Sequence, residues 1–490
     1  QDSIPVVFIS GQARSNHTSY NKKVRQVGTQ EVNICDIVRP ITKYTKFLNN
    51  KNKILEEFKK AIQIAKSGRP GPVWLDLALE IQWQNVRVKK NQIKIINKLD
   101  HSNKLKNFDK VINLINKSKR PLFVIGHGVK SSEIKIEKLK KFFKNKKIPF
   151  VLTWNTLDMF ETKMRENLGI IGMSGQRGAN KSVFNSDILV CVGNHLPIPQ
   201  TTTLYDNYAE QAKKIIVNID KDQLNNLNVN FEHKLNIDAK FFFEKIFKSI
   251  NKKNDWYSQY KELNWYEPKK NKYVDVNKFI RTFTNKLFDK SAIIIDGGGT
   301  ALYAGFQSSV IKKNTEVICS SSISSMGTGL AETIGVHSSK KFNKLLCIIG
   351  DGSFLMNSQD LQTIAQKNIN VVILLVNNQG YLAIRHTQRE FLSKKYLGTK
   401  SPDITFPDFK KLAKAYNLKY LRINKNNEIE NKIKILIKKK GPIICELISD
   451  PDSNSLFKQG YKKNERGIFE PINLGEMYPF INAPIANTNN

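Results

Sequence analysis

The run Leu345-Leu346-Cys347-Ile348-Ile349 empties into Gly350-Asp351-Gly352-Ser353, and the next apolar run, Val371–Val376, ends in Asn377-Asn378-Gln379-Gly380. Both runs are strand-sized and wholly apolar, the pattern of strands buried on both faces of a parallel sheet. Asp351 and Asn378 lie 27 positions apart. That separation suits a strand–loop–helix–strand unit, which brings both residues to the same sheet edge. A carboxylate, an amide oxygen and the carbonyl of a following residue make a hard oxygen set. Such a set suits Mg²⁺, which prefers octahedral oxygen ligation and usually shares its shell with phosphate oxygens. Gly350 and Gly352 allow close backbone approach, while Ser353 and the helix start behind it offer donors to an anion.

The alternation of strand and helix extends outward from this unit. Strands are expected at Ile293–Ile295, Val317–Cys319 and Ile443–Leu447 around it. Leu122–Ile125, Phe150–Thr153, Ile188–Val192 and Ile215–Ile219 form a second set, and Ile4–Gly11 with Gly71–Leu77 a third, with a helix over Lys46–Ser67. The fold class is therefore α/β, with three successive parallel-sheet modules over residues 1–88, 111–250 and 270–490. The Lys/Asn-rich stretch Val86–Lys110 reads as a linker, as does the polar stretch from Asn251 through Lys272, and Asn487–Asn490 as a frayed tail. The chain opens at Gln1, and a buried-type strand begins within a few residues. A domain rarely starts on such a strand, so the first module is expected to be incomplete and the natural protein longer.

Among 490 residues, Lys and Arg exceed Asp and Glu by 36. The Lys is spread along the whole chain and travels with Asn and Ile, as in Asn49-Asn50-Lys51-Asn52-Lys53, the bias an AT-rich genome produces at surface positions. No zinc-finger spacing, ribonucleoprotein motif or basic zipper accompanies it, so no nucleic-acid partner is expected. No apolar run approaches the ~20 residues that span a bilayer, so no membrane partner is expected either. The five cysteines include no CxxC pair, and Cys191, Cys347 and Cys445 sit in apolar runs. Buried free thiols in a reducing cytoplasm are expected.

The Gly350-Asp351-Gly352-Ser353 to Asn377-Asn378 pattern resembles the diphosphate-and-metal motif of the thiamine diphosphate-dependent enzymes. The resemblance makes Asp351, the Asn378 side chain and the Gly380 carbonyl the Mg²⁺ ligands. Asp296-Gly297-Gly298-Gly299-Thr300 falls where this family contacts the diphosphate. Ser324-Ser325-Met326-Gly327 looks like its segment beneath the cofactor, with Met326 as the apolar wedge that bends it and the backbone at Ser324 and Met326 binding the pyrimidine. The implied cofactor contacts are thus Gly298, Gly299, Thr300, Ser324, Met326, Gly350, Gly352, Ser353 and Tyr381.

Over most of its length the chain is most similar to acetolactate synthase-like large subunits. Val24-Arg25-Gln26, Arg39–Tyr44 and Met477-Tyr478-Pro479-Phe480 resemble the branch met in surface-polysaccharide gene clusters. Residues 1–88 then correspond to the C-terminal part of a truncated pyrimidine-binding domain, 111–250 to the central domain and 270–490 to the diphosphate- and Mg²⁺-binding domain. The resemblance implies a cytoplasmic lyase or carboligase acting on 2-oxo acids. A non-ligating decarboxylase, or a cofactor-binding but catalytically incomplete fragment or partner subunit, are the alternatives. Family sites lie between subunits, so a homodimer or homotetramer is implied. The family glutamate that protonates the cofactor's pyrimidine lies in a segment this sequence does not include, and Glu31 belongs to another element. This leaves Gln30 and Arg385 as the candidate catalytic residues, Arg385 as a bidentate holder of a substrate carboxylate. Many relatives also bind FAD through arginines after the central-domain strand, but Gly193-Asn194-His195-Leu196-Pro197-Ile198-Pro199-Gln200 has none. FAD is therefore doubtful.

Overall fold

The computed structural model of the chain describes residues 2–20, 22–86, 108–265, 267 and 272–480. Most of the expected linker at 86–110 and the whole tail Asn487–Asn490 lie outside the described residues. The chain divides into two compact units, residues 1–104 and 105–490.

The first unit carries a parallel sheet of β1 (Val7–Gln12), β2 (Tyr44–Leu48) and β3 (Val73–Ala78), in the order β1-β3-β2. Central β3 buries Val73, Leu75 and Ala78, against which the helix Ile54–Lys66 sets Ala61 and Ala65. Two expectations need correction here. The helix does not begin at Lys46: Tyr44–Leu48 is β2, and the Asn50 side chain accepts from Asn52 N–H to start the turn leading into the helix. Asn49-Asn50 thus separates two elements that the apolar pattern ran together. Nor is the first strand buried on both faces. β1 is an edge strand, with Phe8 43% and Ile9 57% exposed.

The second unit holds two six-stranded parallel sheets. The central sheet comprises β4 (Pro121–Ile125), β5 (Phe150–Leu152), β6 (Asn167–Ile170), β7 (Ile188–Val192), β8 (Lys213–Val217) and β9 (His233–Leu235), ordered β6-β5-β4-β7-β8-β9. The third sheet comprises β10 (Ser291–Ile295), β11 (Thr315–Ile318), β12 (Lys344–Gly350), β13 (Val371–Asn377), β14 (Lys419–Ile423) and β15 (Ile443–Ile448), ordered β11-β10-β12-β13-β15-β14. β4, β7, β10, β12, β13 and β15 form the middles of these sheets and are almost wholly buried, as their unbroken apolar runs require. The unread strands β6, β9 and β14 lie at sheet edges, where polar residues are tolerated and the apolar run is broken.

One hydrophobic core joins the two sheets, running from Phe123 and Val190 to Ile293 and Leu374. Buried Gln307 reinforces the join, donating to the Ser174 carbonyl at 2.9 Å and the Phe457 carbonyl at 2.7 Å. Among the described residues no helix is long and apolar enough to cross a membrane.

Candidate functional site

In the third sheet the chain leaves β10 toward β11 on one side and leaves β12 toward β13 on the other. The loops after β10 and β12 therefore diverge, and the crevice between them is where open parallel sheets bind ligands. Asp296 directly follows β10 and Asp351 directly follows β12, with Asn378 following β13 beside them.

Asp351 is 2% exposed. Its Oδ1 accepts from Gly352 N–H at 2.7 Å, and its Oδ2 accepts from the N–H groups of Asn378 and Gly380, both at 3.1 Å. Burial pushes the carboxyl up to about 6, against the pull of those amides. The Asn378 amide is held by donation from Nδ2 to Thr300 Oγ1 at 3.2 Å, while its Oδ1 is buried and accepts nothing. A buried acceptor without a partner costs about 1–3 kcal/mol, so Oδ1 marks a place for a donor or a cation. Gly380 has φ +132°, and a Cβ there would stand 2.1 Å from the Thr399 carbonyl oxygen. Its own carbonyl accepts from Leu382 N–H and retains a second lone pair. Among the described residues no group of three His, Cys, Asp or Glu side chains could hold a metal. An ion seated here would depend on one carboxylate, one amide oxygen, a carbonyl and ligand oxygens, which fits Mg²⁺ shared with a phosphate.

Around this corner the glycines differ in what surrounds them. A Cβ on Gly352 would lie 2.3 Å from the Tyr381 ring, and one on Gly298 2.7 Å from Met326 Cγ and 2.9 Å from Ser353 Oγ. Those positions are packed by the chain itself. Gly299, at φ +51° where the helix Gly299–Ser308 begins, and Gly350 face open space. The cradle is therefore closed beneath and open above, next to the first-turn amides of a ten-residue helix. Ser324 takes φ +57°, and Gly297 packs against the Ser324–Ser325 backbone.

All twelve residues expected to touch cofactor or metal thus fall in one contiguous cluster. Asp296, a residue not singled out from sequence, ties it together. Fully buried, it accepts from Gly329 N–H at 3.1 Å and Gly298 N–H at 3.3 Å, and the Ser353 hydroxyl bonds it as well. Burial raises its carboxyl above the ordinary range. The available signal was its position at a strand end directly before a glycine run, the same setting as Asp351.

Of the two catalytic candidates, Gln30 belongs to the first unit and Arg385 is otherwise employed. Arg385 is 3% exposed. One terminal nitrogen donates to the carbonyls of Gln379 (2.9 Å) and Thr399 (3.2 Å), the other to those of Asn378 (2.8 Å) and Pro451 (2.7 Å). All four terminal N–H groups are spent on backbone, so the expected bidentate grip on a substrate carboxylate is not available. The guanidinium instead knots the Asn378–Gln379 loop to two neighbouring loops. Gln30 is exposed on a bend of the first unit at φ +57°. The adjacent Glu31 carboxylate accepts from the backbone N–H groups of Ser19 and Val27.

At the central sheet's own switch point, between β4 and β7, the corresponding crevice is filled. Gly126 N–H donates to the Val192 carbonyl and Gly128 N–H to the Gly193 carbonyl, each at 2.9 Å. A Cβ on Gly126 would stand 2.3 Å from Gly193 O, and one on Gly128 2.7 Å from Gly193 Cα. Asparagine amides lace the neighbouring strand ends: Asn194 donates to Gln200 Oε1, Asn218 to the Asn194 carbonyl and Asn236 to the Asn218 carbonyl. The amides of Gly126 and Gly128 are thus consumed within the central sheet's own strand ends.

Comparison with known proteins agrees with this division. Residues 108–246 match the model of the thiamine pyrophosphate enzyme central domain, and residues 297–447 that of the C-terminal TPP binding domain of the same enzymes. A probable acetolactate synthase large subunit of Methanococcus aeolicus is 29% identical, covering 92% of this chain and 78% of that protein. The acetolactate synthase large subunit of Buchnera aphidicola subsp. Schizaphis graminum is 29% identical over 95% of this chain and 82% of its own. The acetolactate synthase isozyme 2 large subunit of Escherichia coli K12 is 25% identical over 92% and 81%. The two matched domains take in most of the two-sheet unit, and the chain belongs to the thiamine pyrophosphate enzymes.

Proposed function

We propose that this chain is a thiamine diphosphate- and Mg²⁺-dependent lyase or carboligase acting on 2-oxo acids, of the acetolactate synthase type. The observation that carries the reading is the unpartnered Oδ1 of Asn378, buried beside Asp351 in a cradle left open at Gly299 and Gly350. Thiamine diphosphate, when bound, supplies the carbanion chemistry that removes CO₂ from a 2-oxo acid and passes the remainder to an acceptor.

The chain's own residues bind and orient. Asp351, Asn378 Oδ1 and the Gly380 carbonyl would hold the Mg²⁺, and the amides at Gly299 and Thr300 with the Ser353 hydroxyl would meet the diphosphate. Met326, packed against Gly298, is the wedge, and the backbone at Ser324 and Met326 receives the pyrimidine. Arg385 is a positioning residue that holds the Asn378–Gln379 carbonyls in place. Proton transfer at the pyrimidine is assigned to no residue of this chain.

Relatives named as large subunits, together with the family's practice of sharing sites between subunits, support a homodimer or homotetramer. The buried thiols of Cys35, Cys191, Cys347 and Cys445 suit a reducing cytoplasm. The filled crevice of the central sheet supports an enzyme that works without FAD. The passages at Val24–Gln26, Arg39–Tyr44 and Met477–Phe480 support the surface-polysaccharide branch.

Incubation with Mg²⁺, thiamine diphosphate and pyruvate tests the reading. Acetolactate supports ligation, and acetaldehyde alone would replace it with simple decarboxylation. Cofactor binding without CO₂ release would leave a non-catalytic partner subunit.

A further inference from the structure

We propose that Asn155, a central-sheet residue, is a positioning residue for the loop that receives the pyrimidine half of the cofactor. The inference rests on the function proposed above. The short helix Trp154–Met159 follows β5 and is anchored in the central sheet, where buried Thr156 donates to the Ile125 carbonyl at 2.9 Å. Three of its side chains leave that sheet for the third one. Trp154 stacks on Phe306, with centroids 5.1 Å apart. Asp158, paired with Lys130 at 2.7 Å, accepts from Val317 N–H at 3.0 Å and so caps the open edge of β11. Asn155 Oδ1 accepts from the Ser321 hydroxyl, in the loop that leaves β11.

On the outer side of that loop Ile323 is 63% exposed. Within it Ser324 N–H donates to the Ser320 carbonyl at 3.0 Å and Ser324 Oγ to the Ser321 carbonyl at 2.9 Å, so fixing Ser321 fixes the turn. The turn delivers Ser324, Ser325 against Gly297 and Met326 against Gly298. Asn155 therefore reaches the pyrimidine side of the site and leaves the Asp351–Asn378 corner alone.

Two probes separate these halves: Mg²⁺ with thiamine diphosphate, which occupies both, and Mg²⁺ with inorganic pyrophosphate, which occupies only the cradle. In calorimetric titrations of the full chain, Asn155→Ala should weaken thiamine diphosphate binding about tenfold, the scale of one lost hydrogen bond, and leave pyrophosphate binding within about twofold. Asn155→Asp keeps the acceptor and should restore affinity. Ser321→Ala should match Asn155→Ala, and the double variant should lose no more than either. Equal losses for both probes would reduce Asn155 to a general structural role, and unchanged affinities or additive losses would remove the clamp. Failure of the unmodified chain to bind either probe would sink the functional reading itself, and this inference with it.

Discussion

The two sheets of the larger unit each have six parallel strands and a reversal of strand order near the middle, at β4/β7 and β10/β12, yet the strand ends there have opposite fates. At the central sheet the turns after β4 and β7 touch, Asn194 spends its amide on Gln200, and Asn218 and Asn236 spend theirs on the carbonyls of the neighbouring strand ends. At the third sheet Asn378 leaves an oxygen unsatisfied, and Gly299 and Gly350 leave space. Shared topology creates a crevice in both places. Side chains decide whether it stays open, so architecture alone does not locate a cofactor.

The largest expected effect comes from discharging the open crevice. Asp351→Asn keeps one oxygen for the Asn378 and Gly380 amides but removes the charge and the acceptor of Gly352 N–H, and Mg²⁺-dependent thiamine diphosphate affinity should fall at least about 100-fold. The cofactor-free protein should melt within a few degrees of the parent. Undiminished affinity by calorimetry would take the metal out of this site.

A pair of glycine substitutions sharpens the contrast. Gly126→Ala puts a methyl 2.3 Å from a backbone oxygen and should cost about 1–3 kcal/mol in denaturant unfolding, with cofactor affinity unchanged. Gly350→Ala meets no atom within 4 Å at φ −80° and should leave stability the same or about 0.5 kcal/mol higher. Cofactor affinity should nonetheless fall about tenfold, because the methyl enters the ligand's space. If both variants behaved alike, the distinction between closed and open crevices would collapse. Heat-denatured protein should release no flavin, and an equimolar yield would reopen the central crevice.

The smallest effect is a pH dependence. His386 lies on the helix Leu382–Phe391, where burial first, then Arg389 and Lys458, push its imidazole down to about 4. The unfolded chain takes up this proton near pH 6.5 and the folded chain only near 4, so stability is lost as pH falls through that window. His386→Gln should flatten the loss by about 1 kcal/mol or less, because the ring is partly solvated. A parallel pH profile for the variant would assign the acid sensitivity elsewhere.

The corner of Asp351, Asn378 and Gly380 was legible because both strands are buried middles of the sheet and each functional residue immediately follows its strand. Edge strands such as β14 were not, since Lys419 and Arg422 interrupt their apolar pattern. The lysine excess was only partly a surface feature. Lys344, 4% exposed, donates to the Lys439 carbonyl, and Lys43 donates to the carbonyls of Ile64, Ser67 and Arg69 at a helix end. At both places the ammonium satisfies backbone carbonyls, buried at Lys344 and exposed at Lys43.

Local order along the chain thus determined the α/β class and the strand ends that bring Asp351 and Asn378 together, since each depends on residues close in sequence and on a period of burial. Tertiary structure alone decided the rest. Arg385 is occupied by carbonyls from three separate loops, Asn155 meets Ser321 across 166 positions, and the central crevice is closed by a turn more than 60 residues from the one it fills. A hydrogen bond between distant residues leaves no periodicity in the sequence, so its partners appear only once the sheets have packed.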